Sequence, residues 1–482
     1  MNYGTIAKVI GSLLIFEAVM FLPAFLAGFY YNETSSLVFL AAMALTLAVG
    51  TILRKMSSVS ETIRAKEALI IVAGGWLAVS FFGALPFYFS GAIPSFMDAF
   101  FETVSGLTTT GATILVEIET LDRGILFWRS FTHWLGGMGI LVLTLAVLPA
   151  LGVGGFQIFK AETPGPIADK LAPKMKNTAA ILYTAYFGIT VLETVLLMFG
   201  GLSLYDALVH TFGTVGTGGF STLNNSIGGF SSAYVQWVIA IFMVASGVNF
   251  SLYYAAYRHR LREITDNEEL RFYLVIISAA TLLVFFNLQS VLHGSPFTTL
   301  RHAFFQVASI TTTTGYTTVN YELWPTFSQS ILFFMMFVGG CAGSTGGSMK
   351  VIRLLVLVKL IRREITRILH PRALVPVRIH KRMLEPDVIA SVTSFYILYL
   401  LIAAVGSMLM TLEGLDILSA VSSVAATLGN IGPGFGFIGP TQNYAAFSVP
   451  AKGLLSLFML MGRLELFTVF ILMTPEFWRE RN

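Results

Sequence analysis

Six residues, Thr108-Thr109-Thr110-Gly111-Ala112-Thr113, crowd hydroxyl and carbonyl oxygens together around one glycine. Such oxygens can replace the hydration shell of an alkali cation if the backbone turns them to one side. Glycine permits that turn because it has no Cβ to clash. The stretch recurs along the chain. Thr109-Thr110-Gly111-Ala112 returns as Thr217-Gly218-Gly219-Phe220, as Thr313-Thr314-Gly315-Tyr316, and in altered form as Asn430-Ile431-Gly432-Pro433. Thirteen residues before each glycine stand Asp98, Asp206, His302 and Ser419, each followed by alanine. One unit is therefore used four times.

Two other places could act on a cation. Residues 339–348 hold five glycines in ten positions, between apolar residues 331–338 and 351–360. A run this rich in glycine breaks a helix and leaves backbone groups that need water or polar partners. Arg463 stands about ten residues into the last apolar segment, near mid-membrane, where a charge is by default a functional hypothesis. Glu465, two positions on, does not face it on a helix. Glu17, Glu193 and Asn249 also lie in apolar segments and read as glue between helices; His133 reads as a hydrogen-bonded packing residue. The sequence contains no H-E-x-x-H, G-x-S-x-G or G-x-x-x-x-G-K-[S/T], so a polytopic membrane enzyme finds no nucleophile with its base.

Composition tells what must position these residues. The chain has 482 residues, 55% hydrophobic and 12% charged, about half the charge usual for a soluble domain. Its net charge is +4, but the cations lie mostly in loops; the expected surroundings are membrane lipid, not nucleic acid. A single cysteine, Cys341, excludes a disulfide framework. Residues 6–30 and 36–52 read as two opening spans. Four outer spans follow at 68–89, 179–199, 274–292 and 388–412, and four inner spans at 125–151, 234–257, 328–360 and 453–473. The expected fold is an all-α polytopic membrane protein with ten spans. Two N-terminal helices (1–60) precede four helix–pore loop–helix units at 61–165, 166–262, 263–369 and 370–482. Segments 98–105, 206–213, 302–309 and 419–426 are too short to cross and must be re-entrant. Asp98, Asp206 and Ser419, and less clearly His302, are their expected N-caps.

Lys160, Lys170, Lys174 and Lys176, Arg258 to Arg271, residues 350–382, and Arg479 with Arg481 form the basic loops. Glu117, Glu119, Asp122 and Glu322 lie on the other side. Positive-inside bias then places both termini in the cytoplasm, so the threonine–glycine stretches enter from outside. The units run parallel, which favours one axial pore over the alternating access of inverted repeats. Each short helix aims its negative C-terminal end at the bilayer centre, where a cation is favoured.

Three stretches carry a family resemblance: Gly-Leu-Thr-Thr-Thr-Gly-Ala-Thr (106–113), His-Trp-Leu-Gly-Gly-Met-Gly (133–139) and Gly-Gly-Cys-Ala-Gly-Ser-Thr-Gly-Gly-Ser (339–348). The chain resembles the Trk/Ktr/HKT superfamily of potassium transporters, and more closely its TrkH family, over its whole length. The resemblance implies potassium uptake across a bacterial inner membrane, not an enzymatic activity. It implies a selectivity filter that binds potassium at Thr110, Gly111 and Ala112, at Gly218, Gly219 and Phe220, at Thr314, Gly315 and Tyr316, and at Ile431, Gly432 and Pro433. Unit four lacks the threonine, and no unit has the Gly-Tyr-Gly of tetrameric potassium channels. It further implies a gate of Gly339, Gly340, Gly343, Ser344, Thr345, Gly346, Gly347, Ser348 and Lys350, with Arg463 facing the pore. The implied partners are a second copy of the chain and a cytosolic TrkA-like ring over residues 350–382. A nucleotide would sit on that ring and not on this chain, which carries no covalent cofactor. Whether transport is channel-like or coupled to sodium or protons stays open at this point.

Overall fold

A computed structural model describes residues 1–56, 63–137, 139, 175–292, 295–380 and 382–479, without the side chains of 175–179, 292 and 382. Two apolar helices open the chain, Tyr3–Tyr30 and Ser36–Lys55. They cross at paired glycines: a Cβ on Gly11 would stand 2.6 Å from the Gly50 carbonyl, and one on Gly50 2.8 Å from the Gly11 carbonyl. Small residues at a crossing let two backbones approach where lipid supplies no hydrophobic drive. Glu33, in the loop between them, accepts from the N–H groups of Arg123 (2.7 Å) and Gly124 (2.9 Å). The opening pair is thus tied to the start of the first inner helix.

The outer helices are Ala65–Gly83 with its continuation Leu85–Phe89, then Met175–Phe199, Glu268–Leu292 and Pro386–Met410. Each leads into a short pore helix: Phe96–Leu107, Leu204–Gly216, Pro296–Thr311 and Ile417–Leu428. These begin earlier than the sequence suggests. Their N-caps are Ser95, Ser203, Ser295 and Asp416, not Asp98, Asp206, His302 and Ser419. Ser95 and Ser203 accept from the N–H groups of Asp98 and Asp206, so the aspartates lie in the first turn, where an anion also suits the helix dipole. Asp416 accepts from the N–H groups of Leu418 and Ser419. Pro296 opens the third pore helix, where its missing N–H costs nothing.

The inner helices differ most from expectation. Only the third carries an obvious break in its sequence, yet the second and fourth are broken too. Ala233–Ser246 and Phe250–Tyr257 meet at 95°, and Val449–Arg463 and Leu466–Leu472 at 120°. Asn249 proves to be the cap of the second half, accepting from Ser251 N–H at 2.9 Å. The third runs Thr326–Met335, then the glycine-rich break, then Val351–Leu369. The first inner helix is Arg123–Gly137, and its expected continuation to 151 lies outside the described residues, as do Lys160, Lys170, Lys174 and Arg481. Against ten expected spans, six helices among the described residues are long and apolar enough to cross, or eight if each bent pair is one span.

Glu17 is fully buried, and its carboxyl oxygens take no hydrogen bond; Glu193 is buried beside Thr214 of the second pore helix. Among the described residues Glu17 is not the hydrogen-bonded glue between helices that its position suggests, whereas Glu193 does meet a hydroxyl of a neighbouring helix. Beyond the helices, the described residues hold one two-stranded antiparallel ladder, Arg378–Ile379 with Arg382–Met383.

Candidate ion pathway

All four pore helices end in the same way. The N–H of the residue before each key glycine bonds back five residues: Thr110 to Ser105 O, Gly218 to Gly213 O, Thr314 to Ser309 O, Ile431 to Ala426 O, at 2.8–2.9 Å. The residue before that bonds back three: Thr109 to Gly106, Thr217 to Thr214, Thr313 to Ile310, Asn430 to Thr427. This double bond pattern closes a helix through one residue in the left-handed region, normally glycine or asparagine. Here φ is 57° at Thr109, 59° at Thr217, 62° at Thr313 and 53° at Asn430. A β-branched threonine held there costs about 1–3 kcal/mol, a strain that persists only when the surroundings enforce it. Asn430 is the one non-glycine residue type suited to the place. The fourth copy looks worn in sequence and is intact in conformation.

One residue intervenes before the next positive φ: 77° at Gly111, 81° at Gly219, 81° at Gly315 and 94° at Gly432. The four glycines close a ring. A Cβ on Gly111 would meet Gly218 O at 2.0 Å, on Gly219 Thr314 O at 2.1 Å, on Gly315 Ile431 O at 2.1 Å, and on Gly432 Thr110 O at 2.5 Å. Each unit therefore lays its carbonyl on the glycine of the unit before it, in cyclic order. Only glycine permits approaches this close.

Of the twelve residues expected in the filter, the first of each triplet brings its carbonyl to this ring: Thr110, Gly218, Thr314 and Ile431. Three other triplet carbonyls accept protein hydrogen bonds: Phe220 O from the Tyr316 hydroxyl (3.1 Å), Tyr316 O from Ser309 (2.6 Å), and Gly432 O from Tyr444 (2.7 Å). Ala112 is buried, and Pro433 lines the outer side. Tyr444 is a candidate site residue that the sequence does not reveal. It lies past the repeated stretch, and its N–H also donates to Thr113 O at 2.8 Å, joining units four and one. Outside the ring opens a vestibule of about 80 Å³ lined by all four glycines.

Inside the ring sits the glycine-rich break. Gly347 N–H donates to the Thr313 hydroxyl (2.7 Å), Ser348 N–H to Gly429 O (3.0 Å), and the Thr345 hydroxyl to Val215 O (3.1 Å) and Ser246 O (3.2 Å). The loop thus touches units two and four and its own filter segment. Gly339 and Gly343 have φ of 79° and 75°; Gly340 packs against Gly247, and Gly346 against Thr312 O. Lys350 folds back onto Ser344 O and Gly346 O. Arg463 supplies the remaining side, donating to Thr345 O at 2.8 Å and to the carbonyls of Gly136 and Gly137 in unit one. Glu465 turns away from it and pairs with Arg353. The space left beside the loop is about 10 Å³, room for one water.

The match to the TrkH model of cation transport proteins spans residues 35–480. The chain belongs to the TrkH family. It is 40% identical to the Trk system potassium uptake protein TrkH of Salmonella typhimurium and 39% identical to that of Escherichia coli, with all of each chain covered. The crystal structure of the potassium transporter TrkH from Vibrio parahaemolyticus superposes with a TM-score of 0.90 at 36% identity, covering 99% of this chain and 100% of that one. Membership of a cation-transport family sets aside the enzyme alternative. It agrees with a multi-pass, helical membrane protein of four units around a central pore.

Proposed function

We propose that the chain takes up potassium through this axial pathway, with the ring at Gly111, Gly219, Gly315 and Gly432 as its selectivity filter. The observation that carries the reading is the cyclic contact of each glycine with the next unit's carbonyl. Backbone oxygens so arranged can exchange for the hydration shell of a dehydrated cation. The names of the similar proteins supply the choice of potassium. The loop at 339–348 and Arg463 form the gate, because they stand across the inner mouth and draw on all four units. The units run parallel around one axis, which favours a channel-like passage over ion-coupled exchange.

The setting we infer is a bacterial inner membrane with both termini cytoplasmic and a second copy alongside. A cytosolic nucleotide-binding ring would grip the helix Val351–Leu369, whose outer residues Ile361, Ile365, Ile368 and Leu369 are exposed among arginines. The test is single-channel recording of the purified chain in a defined bilayer with potassium as the only permeant cation. Discrete unitary currents that need no second ion are expected. Uptake that proceeds only with a sodium or proton gradient, without unitary currents, would favour the coupled alternative.

A further inference from the structure

Inner helix one sends two side chains, one helical turn apart, to the filter segment of unit two. The Arg129 guanidinium is almost wholly buried. Its Nε donates to Glu102 Oε1 at 2.6 Å, its Nη1 donates to Ser221 O at 3.0 Å, and its Cζ lies 3.6 Å from the centre of the Phe220 ring. Glu102, from pore helix one, also accepts from the Thr113 hydroxyl and the Ile114 N–H, both at 2.9 Å. The pair therefore ties the chain leaving the first filter segment to the chain leaving the second.

His133 makes a second tie. Its Nδ1 is 2.7 Å from Gly106 O and its Nε2 is 3.2 Å from Phe220 N. A carbonyl requires a donor and an amide N–H an acceptor, so the partners fix a neutral ring with its proton on Nδ1. The imidazole centre is 4.2 Å from that of the Phe220 ring, which lies against both imidazole and guanidinium. Counted back from the helix end, inner helix four has Leu455 and Met459 where inner helix one has Arg129 and His133. The repeated architecture does not require the arrangement.

We propose that Arg129, His133 and Glu102 are positioning residues for cation selectivity, fixing the second filter segment against the first. This rests on the reading of the glycine ring as the filter. Two observations carry it beyond packing. A buried ion pair contributes little net stability over apolar residues of equal volume, so what it adds here is directional geometry. That geometry holds residues 220 and 221, next to Gly219, against pore helix one, which carries Glu102 and Gly106; Arg129 also lines the outer vestibule beside the four glycines.

Reversal potentials under bi-ionic potassium and sodium conditions, on the full chain in bilayers, test it. Arg129→Lys keeps the charge and loses the planar stack and the fork. Its potassium-to-sodium permeability ratio should fall about tenfold or more, the scale at which one charge-assisted hydrogen bond counts. His133→Asn keeps a donor for Gly106 O and removes the acceptor for Phe220 N–H, and should shift the ratio in the same direction. Unchanged ratios in both folded variants would overturn the proposal and leave a purely structural pair. If Arg129→Lys yields no folded protein, His133→Asn decides alone. Gly219→Ser run in parallel separates the two readings. Loss of selectivity there with none in the strut variants sinks only the strut, while no loss at Gly219 and none in Gly315→Ser sinks the filter itself.

Discussion

Arg463 shows how one side chain is legible in part. Its depth in the last inner helix marks it as a functional candidate, but its partners lie in two other units that no local pattern joins to it. They are the carbonyls of Gly136, Gly137 and Thr345, and the Thr109 hydroxyl lies 3.5 Å away. A fixed positive charge at the inner mouth opposes a cation through Coulomb repulsion that low dielectric strengthens. Arg463→Ala should therefore raise potassium flux per folded protein, by about tenfold if one to two kcal/mol of barrier is removed. Flux assays on purified protein check this; flux that falls with the yield of folded protein would make Arg463 structural. Asn430 shows the opposite limit. In the sequence it looks like a decayed threonine, and only its φ of 53° reveals that all four units share one helix ending.

The elements were legible where periodicity or punctuation marks them. The long apolar helices and the glycine-rich break stand out in the sequence. The bend in inner helix four does not, because Leu464 and Glu465 carry no turn signal, although Glu465 adopts φ 66°; the bend in inner helix two has only the isolated Gly247 and Asn249 to mark it inside an apolar run. The pore-helix starts were misplaced by about a turn in units one, two and four and by about two turns in unit three. The acid at the third position after the cap is easier to see than the serine that caps. The break itself has a testable role. As a gate it must have two arrangements only a few kcal/mol apart, one of them favoured by a cytosolic partner on the following helix. Deleting residues 343–346 removes Thr345, which bonds Val215 O and Ser246 O. High flux that no longer depends on the partner is expected in proteoliposomes. Flux that stays low and partner-dependent would reduce the segment to a kink.

Across the whole molecule the sequence repeat predicted four units, and the glycines marked where they meet. What it could not supply was their cyclic order, because closure is a relation between residues some three hundred positions apart: Thr110 O faces Gly432 across the junction of first and last units. The central claim is that this closed ring selects the ion. Gly219→Ser and Gly315→Ser each place a Cβ 2.1 Å from a neighbouring carbonyl, at a φ of 81° that a side chain rarely adopts. The measurement is the bi-ionic reversal potential of these variants beside the unmodified chain. The account predicts a potassium-selective reversal for the unmodified chain and a marked loss of potassium preference over sodium in both variants. Folded variants with unchanged permeability ratios at both positions would contradict it.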